Sequence, residues 1–312
     1  MKTVLTSSPI EAAEFVKRGG IAAFPTETVY GLGATIFNET AIAKIFEAKK
    51  RPADNPLIAH ISSIEQIEQL ADEITETAQK LIERFFPGPL TIVLKKTERV
   101  PDVATAGLDT IGIRMPRNLL ANEFIAACGW PLIAPSANLS GRPSPTTWQA
   151  AYEDLNGRID CILQGEPTEI GLESTVVDCR EDTPVILRLG SVSLQEIQAV
   201  IPEASLAAVT DMDIRSPGLK HNHYAPRATV VIWNAQDQGT GQNAFIGLNR
   251  PSVDLAFIKI VSNIDEYAHE LFEFFRECDR EGIETIYCEQ VKTEGIGAAL
   301  MDRIERASRA RN

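Results

Sequence analysis

No stretch of the chain approaches the roughly 18 to 20 consecutive apolar residues that span a bilayer, and the opening MKTVLTSSPIEAAEF lacks the apolar core of a secretory signal. A cytoplasmic location, with no membrane partner, is the expectation. Cysteine is scarce: Cys128, Cys161, Cys179, Cys278 and Cys288 make an odd number with no C-x-x-C spacing. Most lie in apolar segments such as IDCIL and TIYCE, which favours buried free thiols over a zinc site or a cysteine nucleophile. Basic residues are in deficit, 30 Lys and Arg against 43 Asp and Glu, giving a net charge of −13. That balance argues against a broad nucleic-acid-gripping face and leaves room for a local basic pocket. Nothing resembles a serine-protease elbow, a zincin helix or a Rossmann fingerprint, and GLGATIF is not followed by the G-K-[ST] of a phosphate loop.

What is present suits one large domain or two smaller ones: 312 residues, 44% of them hydrophobic. Ser8 and Glu11 read as a capping box with Pro9 at the first helical position, and Gly19-Gly20 would end that helix. The strand IAAFP follows. Asn38 caps a second helix with Ile42, Ile45 and Phe46 on one face, and Ser62 with Glu65 repeats the capping-box spacing. Further strands are LIAHI, LTIVLK, TIGIRM, PLIA, STVVDC and VILRL, with parallel and antiparallel pairings both open. Ser193 and Glu196 open another helix that ends near Pro202. Residues 206–227 read as a linker, after which ATVVIW, AFIGLN, LAFIKIV, a helix with Ile264, Tyr267, Leu271, Phe272 and Phe275 on one face, TIYCE and a last helix suggest a small α/β domain with a parallel sheet.

Polar groups gather at the strand ends. In FPTETVYGLGA, Thr26, Thr28, Gly31 and Gly33 could bring amides and hydroxyls to a polar ligand, or could form a solvated turn. Lys49, Lys50 and Arg51 close a helix, where cations are favoured by the macrodipole alone. His60 sits in an apolar run, as core histidines do. Arg114, inside a strand, could pair with a carboxylate or grip a substrate carboxylate bidentately. APSANLSGRPSP offers Ser136, Asn138 and Ser144, while Ser174 and Arg188 stand in two later strands.

Taken together, FPTETVYGLGA, Lys49-Lys50-Arg51-Pro52 with NPLIAH, FPGPLTIVL, GIRMP, Ser136-Ala137-Asn138, ESTVVD and LRLG resemble the YrdC-like family over about residues 9–200. SPGLKHNHYAP and EGIGAALMDRIERAS resemble the longer members, which append a Rossmann-like domain. The resemblance implies an α/β fold, an open twisted sheet with a concave cavity plus a small C-terminal α/β domain. The chain divides accordingly into a catalytic domain at 1–205, a linker or lid at 206–227 and the small domain at 228–312.

The activity implied is threonylcarbamoyl-AMP synthesis from L-threonine, bicarbonate and ATP, with Mg2+ carried on the nucleotide phosphates. Other proteins would then move the threonylcarbamoyl group to tRNA. Carried over by motif, the threonine side would use Thr28, His60, Arg114, Ala134 and Ser174. The nucleotide side would use Arg51, Asn55, Thr110, Ser136, Asn138, Ser144, Arg188 and Tyr224, with Lys49 and Arg51 as catalytic cations. Two departures stand out: Lys50 occupies the middle of K-x-R, where a glycine or other small residue is frequent, and Asn222 stands where a basic residue is common.

Overall fold

A computed structural model describes residues 2–207, 224–234 and 242–309. The first stretch builds one mixed sheet of eleven short strands: β1 (Val4–Thr6), β2 (Ala22–Phe24), β3 (Gly31–Thr35), β4 (Ile58–His60), β5 (Leu90–Lys95), β6 (Thr110–Arg114), β7 (Leu132–Ala134), β8 (Cys161–Leu163), β9 (Thr175–Asp178), β10 (Val185–Arg188) and β11 (Ser205–Leu206). Their order across the sheet is β1-β8-β2-β3-β7-β4-β6-β5-β9-β10-β11. The pairing question left open by the sequence resolves as a mixture: β4 runs parallel to β6 and antiparallel to β7.

Alternation with period two sorts these strands onto two cores. Ala23, Ile133 and Ile162 face a large apolar cluster with Ile42, Ile45 and Phe46 of α2 (Glu39–Lys49) after α1 (Pro9–Lys17). Their neighbours Phe24, Leu132 and Cys161 face the opposite way, onto Ala12, Ala13 and Val16 of α1 and onto Phe124 and Ile125. Strands covered on both faces need continuous apolar residues, which is why they read as short unbroken runs.

Helix starts follow side-chain oxygens. Asn38 accepts from the Ala41 amide at 3.0 Å, and Ser193 with Glu196 forms a reciprocal capping box. Two expectations shift. Ser8 accepts from the Glu11 amide, yet the Glu11 carboxylate bonds Thr6 Oγ1 instead of closing the box. The Ser62 and Glu65 signal moves by one residue, with Gln66 Oε1 accepting from the Ser62 and Ser63 amides at 2.8 and 3.4 Å to open a 3-10 turn over Ile64–Gln69. Lys50 adopts the left-handed conformation, φ 51°, that ends α2. That backbone explains why a small residue suits the middle of the motif.

The second sheet holds β12 (Thr229–Ile232), β13 (Asn243–Gly247), β14 (Phe257–Ile260) and β15 (Thr285–Cys288), ordered β12-β15-β13-β14 with every pair parallel. Two long helices, Ile264–Glu281 and Ile296–Arg309, supply Tyr267, Leu271, Phe272, Phe275, Leu300 and Ile304 to its core. Of the expected linker, residues 208–223 lie outside the described residues, including Asn222. The last strand of the large sheet ends at Leu206 and the small sheet begins at Thr229. Among the described residues no helix is long and apolar enough to cross a membrane.

The two units meet along loops of the first. Leu172 belongs to the second unit's core, and a Cβ on Gly171, whose φ is +82°, would stand 2.6 Å from the Cα of His269. Gly129 has nearly the same φ, +81°, with nothing within 4 Å of its Cβ position. Gly129→Ala should therefore lose about 1 kcal/mol for the left-handed backbone alone. Gly171→Ala should lose about 1 to 3 kcal/mol more, by prying the units apart. Urea unfolding of both variants checks this, and equal losses would show that the close approach is not limiting.

Candidate active site

The two sheet registers that involve β4 create the floor of one cavity. His60 pairs with Arg114 across β4 and β6, and Ile58 pairs with Ala134 across β4 and β7, so their side chains share the sheet face that α1 leaves open. Walls rise from the turn at 26–29, the loop at 51–57, the loop at 135–145, and from Glu173, Ser174, Arg188 and Tyr224. The space between them, its open mouth included, is about 690 Å³.

Eleven of the expected residues line this cavity: Thr28, Arg51, His60, Arg114, Ala134, Ser136, Asn138, Ser144, Ser174, Arg188 and Tyr224. Three do not. Thr110 begins β6, at the far end from Arg114. Asn55 is buried beside Arg51, whose Nη2 donates to its carbonyl at 3.3 Å, and neither atom of its side-chain amide has a partner. Lys49 is buried behind the wall, where its amine donates to the carbonyls of Ser136 and Asn138. Burial pulls its pKa well below the ordinary lysine value, and Arg51 pulls further. The two hydrogen bonds tie the end of α2 to the 136–138 loop that forms one wall of the cavity.

Thr26 organises the first wall. Its Oγ1 donates to the Val29 carbonyl at 2.7 Å and accepts from the amides of Thr28 and Val29. Of the two glycines beyond, Gly31 lines the cavity as expected, whereas a Cβ on Gly33 would lie 2.9 Å from the Phe24 ring, so the backbone there approaches an aromatic side chain. Phe24 in turn meets His60 edge-on, ring centroids 5.8 Å apart.

Charge in the cavity comes from Arg51, Arg114, Arg142 and Arg188, with Glu173 as the lining carboxylate. Arg114 donates through Nη1 to Thr28 Oγ1 at 2.7 Å and through Nε to the Gly88 carbonyl at 3.3 Å. Its Nη2 stands 2.8 Å from the buried carboxylate of Glu27 but out of line for a hydrogen bond. Arg114 thus has a carboxylate neighbour and keeps one buried edge of its fork without a hydrogen bond. Arg188 holds the Ser174 carbonyl through Nε and Nη2 at 3.1 and 3.0 Å, and Ser174 Oγ lies 2.8 Å from Thr91 Oγ1. Burial lowers Arg51 to about 10, which leaves it charged at neutral pH, and burial lowers Arg188 too. For Glu173, burial pushes upward, but Arg303 and Arg188 outweigh it and hold the carboxyl below its usual range.

Tyr224 lies at the junction. It lines the cavity and stacks on Phe272 of the second unit, centroids 5.5 Å apart. Packing between the units and facing the cavity coexist in this one residue. Sequence reasoning overlooked Glu27, Arg142, Glu173 and Arg303, although asking which carboxylates balance the strand arginines would have pointed to the glutamates of PTETV and LEST. All five cysteines are buried, and burial pushes Cys128, Cys161 and Cys288 up to about 12, so these thiols are poor nucleophiles.

His60 is held at about 3 by burial and then by Arg114, so it is a neutral imidazole at physiological pH. Its Nδ1 lies 3.1 Å from the Ile58 carbonyl; a proton placed there leaves Nε2 as an acceptor. Because the folded pKa lies below that of an exposed histidine, the unfolded chain binds the extra proton between about pH 6.5 and 3. Stability from this group is lost as pH falls through that window. His60→Gln should flatten the acid limb, reducing the loss between pH 7 and 4.5 by about 1 to 3 kcal/mol relative to the parent chain, as read from urea unfolding at both pH values. An unchanged acid limb would show that His60 takes up its proton in the folded state.

The family model described as "Telomere recombination" (Sua5_yciO_yrdC) matches residues 14–190, and that described as "Threonylcarbamoyl-AMP synthase, C-terminal domain" (Sua5_C) matches residues 192–309. The chain is 45% identical to threonylcarbamoyl-AMP synthase of Pyrococcus abyssi, covering 95% of this chain and 93% of that one. It is 39% identical to the Bacillus subtilis enzyme of the same name, covering 96% and 93%. A crystal structure of P. abyssi Sua5 complexed with L-threonine superposes with a TM-score of 0.90 at 41% identity, covering 99% of this chain and 98% of that one. E. coli YciO gives 0.54 at 25% identity over 63% of this chain and 98% of that one, which is the likeness of the first unit alone. Matched along both units, in fold and in sequence, the chain belongs to the Sua5/YciO/YrdC family and to its two-domain branch.

Proposed function

We propose that this chain is an L-threonylcarbamoyladenylate synthase, a nucleotidyltransferase that joins L-threonine, bicarbonate and ATP into threonylcarbamoyl-AMP, releasing pyrophosphate and water. The observation that carries the reading is the gathering of four guanidinium groups around one cavity in a protein of net charge −13. Such a cavity suits a polyanion. The threonine complex of P. abyssi Sua5 supports threonine as co-substrate.

In this reading the threonine carboxylate meets the Arg114 guanidinium, with Thr28, Ser174 and neutral His60 around the side chain. Ala134 leaves space on the floor. The neutral amine attacks the bicarbonate carbon, water leaves, and a carbamate oxygen then attacks the α-phosphorus as pyrophosphate departs. Nucleophile and electrophile are both anionic, so Arg51 and Arg188 would offset their repulsion and hold the reacting atoms in line. Ser136, Asn138, Ser144 and Tyr224 would complete the nucleotide side.

No side chain need form a covalent bond. Mg2+ would enter on the phosphates as part of the substrate; among the described residues no three His, Cys, Asp or Glu side chains stand together as metal ligands. The product would pass to threonylcarbamoyl-transfer proteins acting on tRNA, and the cytoplasm is the proposed location.

Pyrophosphate release from ATP should require both threonine and bicarbonate. Arg114→Lys keeps the charge but loses the fork that reaches Thr28 and Gly88, so KM for threonine should rise about tenfold or more while KM for ATP moves little. Pyrophosphate release that ignores threonine would overturn the reaction; an unchanged threonine KM in the variant would overturn only the role of Arg114.

A further inference from the structure

Arg303 sits on the last helix of the second unit, and its side chain is fully buried. Its Nε donates to Glu173 Oε2 at 2.9 Å, Nη2 to the Leu189 carbonyl at 2.8 Å and Nη1 to Asp302 Oδ2 at 2.6 Å. The guanidinium carbon lies 5.3 Å from the centre of the Tyr224 ring. Two of these neighbours, Glu173 and Tyr224, line the cavity of the first unit. One guanidinium therefore supports two walls from behind.

Glu173 is anomalous among the cavity groups. It is the carboxylate in a lining otherwise charged by arginines, and its Oε1 accepts from Ser144 Oγ at 2.5 Å. A buried carboxylate facing phosphates repels them strongly, because the low-dielectric surroundings screen little. Pairing with a buried cation removes most of that field, and losing one partner of such a pair leaves an uncompensated charge.

We propose that Arg303 is a positioning residue for the nucleotide: it neutralises Glu173 from the side away from the cavity, so that Glu173 can hold Ser144 without repelling the phosphates. The second unit thereby contributes to ATP binding without touching ATP. This inference rests on the reaction proposed above. A bond that merely fastened the two units would behave differently, since its loss would weaken every affinity together and would not depend on the charge of Glu173.

The test uses the full chain and a cycle of R303M, E173Q and R303M/E173Q, with ATP and threonine affinities from calorimetry. R303M should weaken ATP binding by about tenfold or more and threonine binding by less than about threefold. The double variant should return ATP affinity to within about threefold of E173Q alone, because residue 173 then carries no charge for Arg303 to balance, and Asp302 keeps Arg306 as its partner. Equal losses for both ligands in R303M, or a double variant that binds ATP no better than R303M, overturn the proposal. Should R303M not fold, R303K decides: retained charge predicts ATP binding within about threefold of the parent, and a soluble R303K weakened tenfold overturns the charge argument. A parent chain that binds no ATP overturns the underlying reaction; one that binds ATP without the rescue overturns this inference alone.

Discussion

Guanidinium groups that face one another across a partly dry cavity repel, and burial strengthens the repulsion. Everything around this cavity is arranged to hold four of them there. Arg51 is tied to the carbonyls of Asn55 and Pro56, Arg114 to Gly88 and Thr28, Arg188 to Ser174, and Arg142 to Asp154. The anchors of Arg51, Arg114 and Arg188 belong to loops, while Asp154 lies on the helix Trp148–Leu155, so the loops themselves must be held. Lys49 does this for the loop at 136–138, and Asp154 gathers the Leu139 amide, Arg142 and the fully buried Arg276 of the second unit. The second unit is thus part of the support for the cations as well as a domain with its own core.

Much of this architecture is legible locally. LTIVLK is a strand from Leu90 to Lys95, the caps at Asn38 and Ser193 are where short-range hydrogen bonding puts them, and the small sheet is parallel, as alternating strands and helices suggest. These features depend on neighbours within a few residues, which a sequence displays directly. Even Lys50, an apparent departure, is explained by one left-handed backbone position.

What escaped reading depends on distance along the chain. Arg276 meets Asp154 across 122 residues and Arg303 meets Glu173 across 130, and neither arginine differs in sequence from a solvated helix charge. The glycine at 33 invites a ligand argument, yet the decisive neighbour is Phe24 on the paired strand. The sequence places Lys49 at the end of a helix, but only the fold shows two carbonyls from the 136–138 loop on its amine. Residue type constrains chemistry, but only the fold decides which partner a charge finds.

The separation between Glu173 and Arg303 also has a meaning in time. Domains tend to fold as units, N-terminal first, during synthesis. A ribosome that has delivered Glu173 must add 130 further residues before Arg303 exists, so a nascent chain can assemble the large sheet and its strand arginines while one wall still lacks the guanidinium that hydrogen-bonds its carboxylate. Completion of the cavity is tied in this way to completion of translation through the last helix.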